Sequence, residues 1–123
     1  MSGIHTHFTG RVGKDPEMQY MPNGNAVVGL SVAVDNPYKA GDEWKKGTIW
    51  VRATFFNKPA ETINEYVKKG AMISLTGKLK VENETGEPRI WADKEGKSRA
   101  TVEMIVTDYT LIGSKKSEES TGE

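Results

Sequence analysis

Trp50, Arg52 and Phe56 lie at even spacings within the run Thr48 to Phe56, so in an extended chain they share one face. Lys78 and Lys80 repeat that spacing in a second run, Ala71 to Val81. Aromatic rings interleaved with cations on a solvated sheet suit one particular ligand, a single strand of nucleic acid. Unstacked bases expose their π-faces, and stacking one of them on an aromatic side chain contributes about 1–3 kcal/mol. The cations meet the phosphate line, where counterion release makes affinity fall with salt. Neither contact reads a base edge, so the surface tolerates any sequence. A subunit contact is an equally good use of the same face, because Ile49, Val51, Ala53 and Phe55 already supply a core face on the other side of the strand. Tyr38 and Trp44, the latter beside Lys45 and Lys46, add two stacking candidates from a neighbouring loop.

Other chemistries find little material. His5 and His7 fall on one strand face, but a structural zinc site wants four ligands, and the chain has no cysteine and no third histidine. The cysteine count also excludes disulfides and thiolate nucleophiles, and no serine stands in a nucleophile-elbow context. Gly10-Arg11-Val12-Gly13 is not a phosphate-binding loop, since no Gly-Lys-Ser/Thr follows. A nuclease would need carboxylates clustered around a metal, for which Asp15, Glu17 and Asp35 with Arg11 are loose candidates. No catalytic residue, metal or cofactor is therefore assigned.

The elements that would carry these side chains follow from periodicity. Ile4 to Val12 alternates, with Ile4, Thr6, Phe8, Gly10 and Val12 on one face, the period of a half-buried strand. Asp15-Pro16 and Pro22-Asn23-Gly24 signal a loop or hairpin turn. Ala26 to Asp35 is a second strand, with Val28, Leu30, Val32 and Val34 inward, and Thr48 to Phe56 is a third. Asn57 is suited to cap a short helix with Pro59 in its first turn. Its apolar stripe is Ala60, Ile63, Tyr66 and Val67, and Lys68-Lys69-Gly70 marks its end. A fourth strand covers about 71–81, and a last one runs from about Arg99 to Ile112, after two turn signals that bracket Trp91. Five strands with one helix between the third and fourth is the chain order of an all-β OB-fold barrel.

At 123 residues the chain fits one domain. The folded part is expected over 1–113. A polar tail follows over 114–123, whose Ser, Lys, Glu, Thr and Gly cannot bury enough surface to order themselves. No apolar run approaches the roughly 18 residues that span a bilayer, no secretion signal opens the chain, and the absence of cysteine suits a reducing cytoplasm. Lys and Arg number 17 against 17 Asp and Glu, so a phosphate-binding surface requires the positive charges to be segregated onto one face.

Assembled, these pieces resemble the bacterial single-stranded DNA-binding protein family. One match is Gly10-Arg11-Val12-Gly13-Lys14-Asp15-Pro16-Glu17, continuing through Tyr20-Met21-Pro22-Asn23-Gly24 into Ala26-Val27. A second is Trp50-Val51-Arg52 through Phe56-Asn57-Lys58-Pro59-Ala60-Glu61 to Glu65-Tyr66-Val67-Lys68-Lys69-Gly70, and a third is Trp91-Ala92-Asp93 with Gly96 and Arg99. The resemblance covers about 4–113. It implies an OB fold, usually a homotetramer, that wraps single-stranded DNA in replication, recombination and repair, in the nucleoid-associated cytoplasm. Trp50, Phe56 and Trp91 match the family's base-stacking aromatics, and Tyr38 lies near another. Arg52, Lys58, Lys69, Arg89 and Arg99 fall where the family tends to place phosphate-contacting cations.

Three departures stand out. Residues 81–88 look like an insertion ahead of Trp91, bearing Glu82, Glu84 and Glu87, which would repel phosphate along a DNA path. Val51 follows Trp50 where many relatives have a histidine at a subunit contact. The sequence closes on Glu118-Glu119-Ser120-Thr121-Gly122-Glu123, without the acidic Pro-Phe tip through which family members often recruit partner enzymes, so either a longer tail follows these residues or partners are not recruited by that route. A specialised or phage-encoded paralogue acting as an RNA-binding or protein-interaction module is the alternative reading.

Overall fold

The computed structural model describes residues 3–113; the polar tail expected over 114–123 lies outside them. Ten strands and one helix follow in order: β1 (His5–Val12), β2 (Glu17–Tyr20), β3 (Ala26–Asp35), β4 (Tyr38–Ala40), β5 (Glu43–Lys45), β6 (Thr48–Phe56), α1 (Lys58–Tyr66), β7 (Met72–Lys80), β8 (Ile90–Ala92), β9 (Ser98–Ala100) and β10 (Val102–Gly113). Five of the strands close into a barrel. Its sheet runs β1-β7-β10-β6-β3, and β1 returns to pair with β3, while β2 extends the β3 side. β1 accomplishes this by pairing with β7 from His5 to Arg11 and with β3 through Arg11 and Val12. β10 and β6 are parallel, and the other barrel pairs are antiparallel. The helix lies between the third and fourth barrel strands, β6 and β7, as the sequence implies. Among the described residues no helix is long and apolar enough to cross a membrane.

Alternation builds the core. Val28, Leu30 and Val32 of β3 face Val51, Ala53 and Phe55 of β6, with Ile73 and Leu75 of β7 and Met104 of β10 closing the interior, all buried. The Phe55 ring meets Tyr109 edge-on at 5.9 Å between centroids. Fully burying one such apolar side chain stabilises the fold by about 1.5–3 kcal/mol, so truncating Leu30 to alanine would cost about 2–5 kcal/mol. α1 packs against β2, β3 and β6 and buries Ala60 and Ile63, whose i, i+3 spacing lies on one helical face, while Val67, in extended conformation just after the helix, is buried beside them.

Five local expectations differ from the structure. Tyr66, placed on the helix stripe, is exposed, and Ile49, placed in the core, is at the exposed start of β6, ahead of the point where Val102 of β10 begins to pair opposite Val51. Asn57 does precede the helix, but its side chain makes no capping hydrogen bond; its φ is 63° and its ψ is −132°. Asparagine tolerates positive φ better than most residues, and the backbone holds the bend, with Asn57 N–H donating to the Ala26 carbonyl at 2.9 Å. The last strand is divided: β9 pairs with β8 in a separate hairpin before β10 rejoins the barrel. The loop expected between the second and third strands likewise contains a hairpin, β4 with β5.

Candidate nucleic-acid interface

Outward residues of β6 point away from the core just described. Trp50 is 55% exposed, its ring lying so close over Gly13 that a Cβ added there would sit 2.6 Å from ring carbon Cζ3. Arg52 lies the same way over Gly29, where an added Cβ would sit 2.5 Å from a guanidinium nitrogen. Trp50 and Arg52 therefore each rest on a backbone position kept bare by glycine. Gly13 is itself fixed, donating its N–H to the Ser31 carbonyl at 2.8 Å.

Trp91 approaches from the β8–β9 hairpin. With Trp50 it lines an open groove of about 440 Å³, completed by Gly13, Lys14, Ser31, Val51, Arg52 and Thr101. The Trp91 indole N–H donates to Thr101 Oγ1 at 2.7 Å, which fixes the ring edge and leaves its face for contact; the residue is 40% exposed. Arg99 stands directly across from Trp91 in the hairpin ladder and donates from Nε to Asp93 Oδ2 at 2.9 Å. Asp93 also accepts the backbone N–H groups of Glu95 and Lys97, both at 2.9 Å. The Arg99 guanidinium, followed by these backbone donors, holds its carboxyl below the usual carboxylate range. Arg99 thus braces the hairpin turn.

A second, polar cavity of about 290 Å³ adjoins the first, sharing Arg52 with it, and collects Lys80, Arg89, Glu103, Glu17, Gln19 and Thr54 among its walls. Strand register explains the gathering: Glu103 of β10 pairs opposite Arg52 on one side and Lys80 on the other. Arg89 reaches Glu103 with Nε at 3.2 Å and Nη2 at 3.4 Å. Of the cations singled out in the sequence, Arg89 is therefore engaged by a carboxylate rather than presented alone. The acidic insertion folds upon itself, Glu82 N–H donating to the Glu87 carbonyl and Gly86 N–H to that of Glu82, both at 2.8 Å, and Trp91 still reaches the groove.

The remaining candidates are dispersed. Phe56 is half-buried at the other end of β6, about 20 Å from Trp50 at the usual strand rise, with Lys58 just beyond it on the helix. Lys78 is exposed one row below Lys80. Lys69 is exposed after the helix, its backbone N–H donating to Asp15 Oδ1 at 2.7 Å. Tyr38 and Trp44 occupy the β4–β5 hairpin, 50% and 71% exposed. Tyr38 pairs opposite Lys45, and Trp44 opposite Lys39, so the two rings emerge on opposite faces. Sequence reasoning missed Lys14, Thr101 and Glu103. Lys14 stands in a stretch quoted for its family match but given no contact there, whereas Thr101 and Glu103 gain meaning only from cross-strand register.

The family model described as the single-strand binding protein family matches residues 5–112. The chain is 35% identical over 115 residues to Single-stranded DNA-binding protein 1 of Xylella fastidiosa (strain 9a5c), covering 92% of this chain and 79% of that protein. Its fold is similar to the crystal structure of a small single-stranded DNA-binding protein from Streptomyces coelicolor, with a TM-score of 0.71 at 20% identity, over 90% of this chain and 95% of the other. By the family match along residues 5–112 and the 35% identity to a relative covered over 79% of its length, the chain belongs to the single-strand binding protein family.

Proposed function

We propose that this protein binds single-stranded DNA without strong sequence preference, and protects it during replication, recombination and repair in the nucleoid-associated cytoplasm. The observation that carries the reading is the apolar groove between two exposed tryptophan rings, Trp50 and Trp91, with Arg52 and Lys14 on its walls. An unpaired base offers two π-faces to such a groove, while a duplex keeps its bases stacked inside. Arg52 and Lys80 on the shared outer surface, joined by Lys14, supply phosphate contacts. Phe56 with Lys58 continues the path along β6, and Tyr38, Trp44, Lys69, Lys78 and Arg99 extend the surface around it. The reaction is binding alone, with no catalytic residue assigned.

Assembly into a homotetramer is part of the proposal. Family membership supports it, and Ile4, Leu111 and Ile112 are exposed apolar side chains that a partner subunit would cover. Light scattering with oligo-dT of increasing length reads both subunit number and the length of strand occluded.

The direct experiment is titration with oligo-dT, duplex and an RNA oligomer of equal length, followed by tryptophan fluorescence and anisotropy. Quenching by oligo-dT, weak response to duplex, and affinity falling steadily with salt are expected. Equal affinity for duplex would overturn the reading, and a preference for RNA would favour recognition of the 2′-hydroxyl.

A further inference from the structure

The hairpin that carries Trp91 is not hydrogen-bonded into the barrel, since β8 and β9 form a two-stranded sheet of their own. Most of the bonds described for segment 82–100 are internal or reach Thr101, the link to β10. The hydrogen bonds described from this segment to a barrel strand are the fork from Arg89 to Glu103. Glu103 is 6% exposed and is the charged side chain buried among the described residues. A carboxylate in that position requires a partner, because burying an unpaired charge is strongly unfavourable. Its in-register neighbours Arg52 and Lys80 make the surroundings positive, and Arg89 completes them from above.

Arg89 stands two residues before Trp91, at the entry to β8. In extended chain that spacing turns both side chains to the same side, and both line cavities on the barrel surface, Arg89 the polar one and Trp91 the apolar one. Pinning the first aims the second. We propose that Glu103 is a positioning residue for Trp91: by holding Arg89 against β10 it sets the hairpin so that the Trp91 ring closes the groove opposite Trp50. This rests on the reading of that groove as a base-binding site. It runs against the simple electrostatic expectation, in which a carboxylate beside a phosphate path only weakens binding.

The test is a double-mutant cycle on the full chain, Glu103→Gln with Trp91→Ala, read by oligo-dT affinity. Glu103→Gln keeps the shape and removes the charge. It should weaken binding several-fold, within the range of about 5- to 150-fold that one lost stack spans, and should cost almost nothing once Trp91 is alanine. Arg89→Gln, made at the half-exposed end of the pair and paired with Glu103→Gln so that no carboxylate is left buried without its partner, should reproduce the same dependence on Trp91. Tighter binding by Glu103→Gln, or an equal loss in both backgrounds, would overturn the proposal.

A second readout needs no DNA. With Trp44→Phe and Trp50→Phe, Trp91 is the sole emitter, and Glu103→Gln should shift its emission to the red and increase quenching by iodide. Should Trp91→Ala leave oligo-dT affinity unchanged, the base-stacking reading fails, and this emission shift alone decides whether Glu103 places the ring. No shift would overturn the positioning role whatever the DNA result.

Discussion

Two tryptophans line one groove on very different supports. Trp50 belongs to β6, a barrel strand hydrogen-bonded on one side to β3 and on the other to β10, and its ring lies on the backbone of Gly13. Trp91 belongs to a three-residue strand in a detached hairpin, held by a hydrogen bond to Thr101 and by the ion pair beneath Arg89. Trp44, on the other hairpin, is 71% exposed with no described side-chain partner. The three rings are chemically identical, so their differences in binding should follow from how far each is held in place before the ligand arrives. Ordering a mobile ring on binding costs side-chain entropy that a fixed ring has already lost.

The sharpest way to break this comparison is Trp50→Ala. Loss of one pre-placed stack should weaken oligo-dT binding by about 5- to 150-fold, while the thermal midpoint stays close to that of the parent because the ring is largely exposed. A smaller effect is expected from Gly13→Ala, measured in the same titration. The added methyl would displace the ring by occupying the 2.6 Å approach, and it should cost nothing further in a Trp50→Ala background.

Acidification should separate the two supports. The folded Asp93 carboxyl titrates below its ordinary value of 3.8, with Arg99 as the leading cause. Its contribution is therefore complete above that ordinary value and is lost as pH falls from there through the lowered one. The lone-Trp91 signal should respond in that acid window as the hairpin turn loosens, and Asp93→Asn should remove the response while Trp50 is unaffected. The smallest change is expected from Trp44→Ala, a shift of no more than about 0.5 kcal/mol, or roughly twofold in affinity.

The contrast also divides what could be read in the sequence from what could not. Alternation in Ala26 to Asp35 and Thr48 to Phe56 was enough to place the barrel core, because each strand buries one face and a period of two survives without knowledge of partners. For the same reason the outward set of Trp50 and Arg52 was legible. The partner of Arg89 was not: the family resemblance implied a phosphate contact for it, whereas Glu103 lies 14 residues away and meets it only when the hairpin folds back on β10. Nor does local pattern separate Tyr38 from Trp44. Their six-residue separation would place them on one face of a continuous strand, and the intervening turn with its antiparallel register puts them on opposite ones. Asn57 shows the same limit at shorter range, since its type suggests a side-chain cap and its backbone angle provides a bend.

The central claim is that a base stacks on Trp50 in the groove, and it is tested most directly by leaving that residue as the sole tryptophan through Trp44→Phe and Trp91→Phe. Saturating this variant with oligo-dT, with binding followed independently by anisotropy of a labelled strand, should quench the Trp50 emission strongly and shield it from iodide. Full binding with unchanged emission and unchanged iodide access would contradict the account.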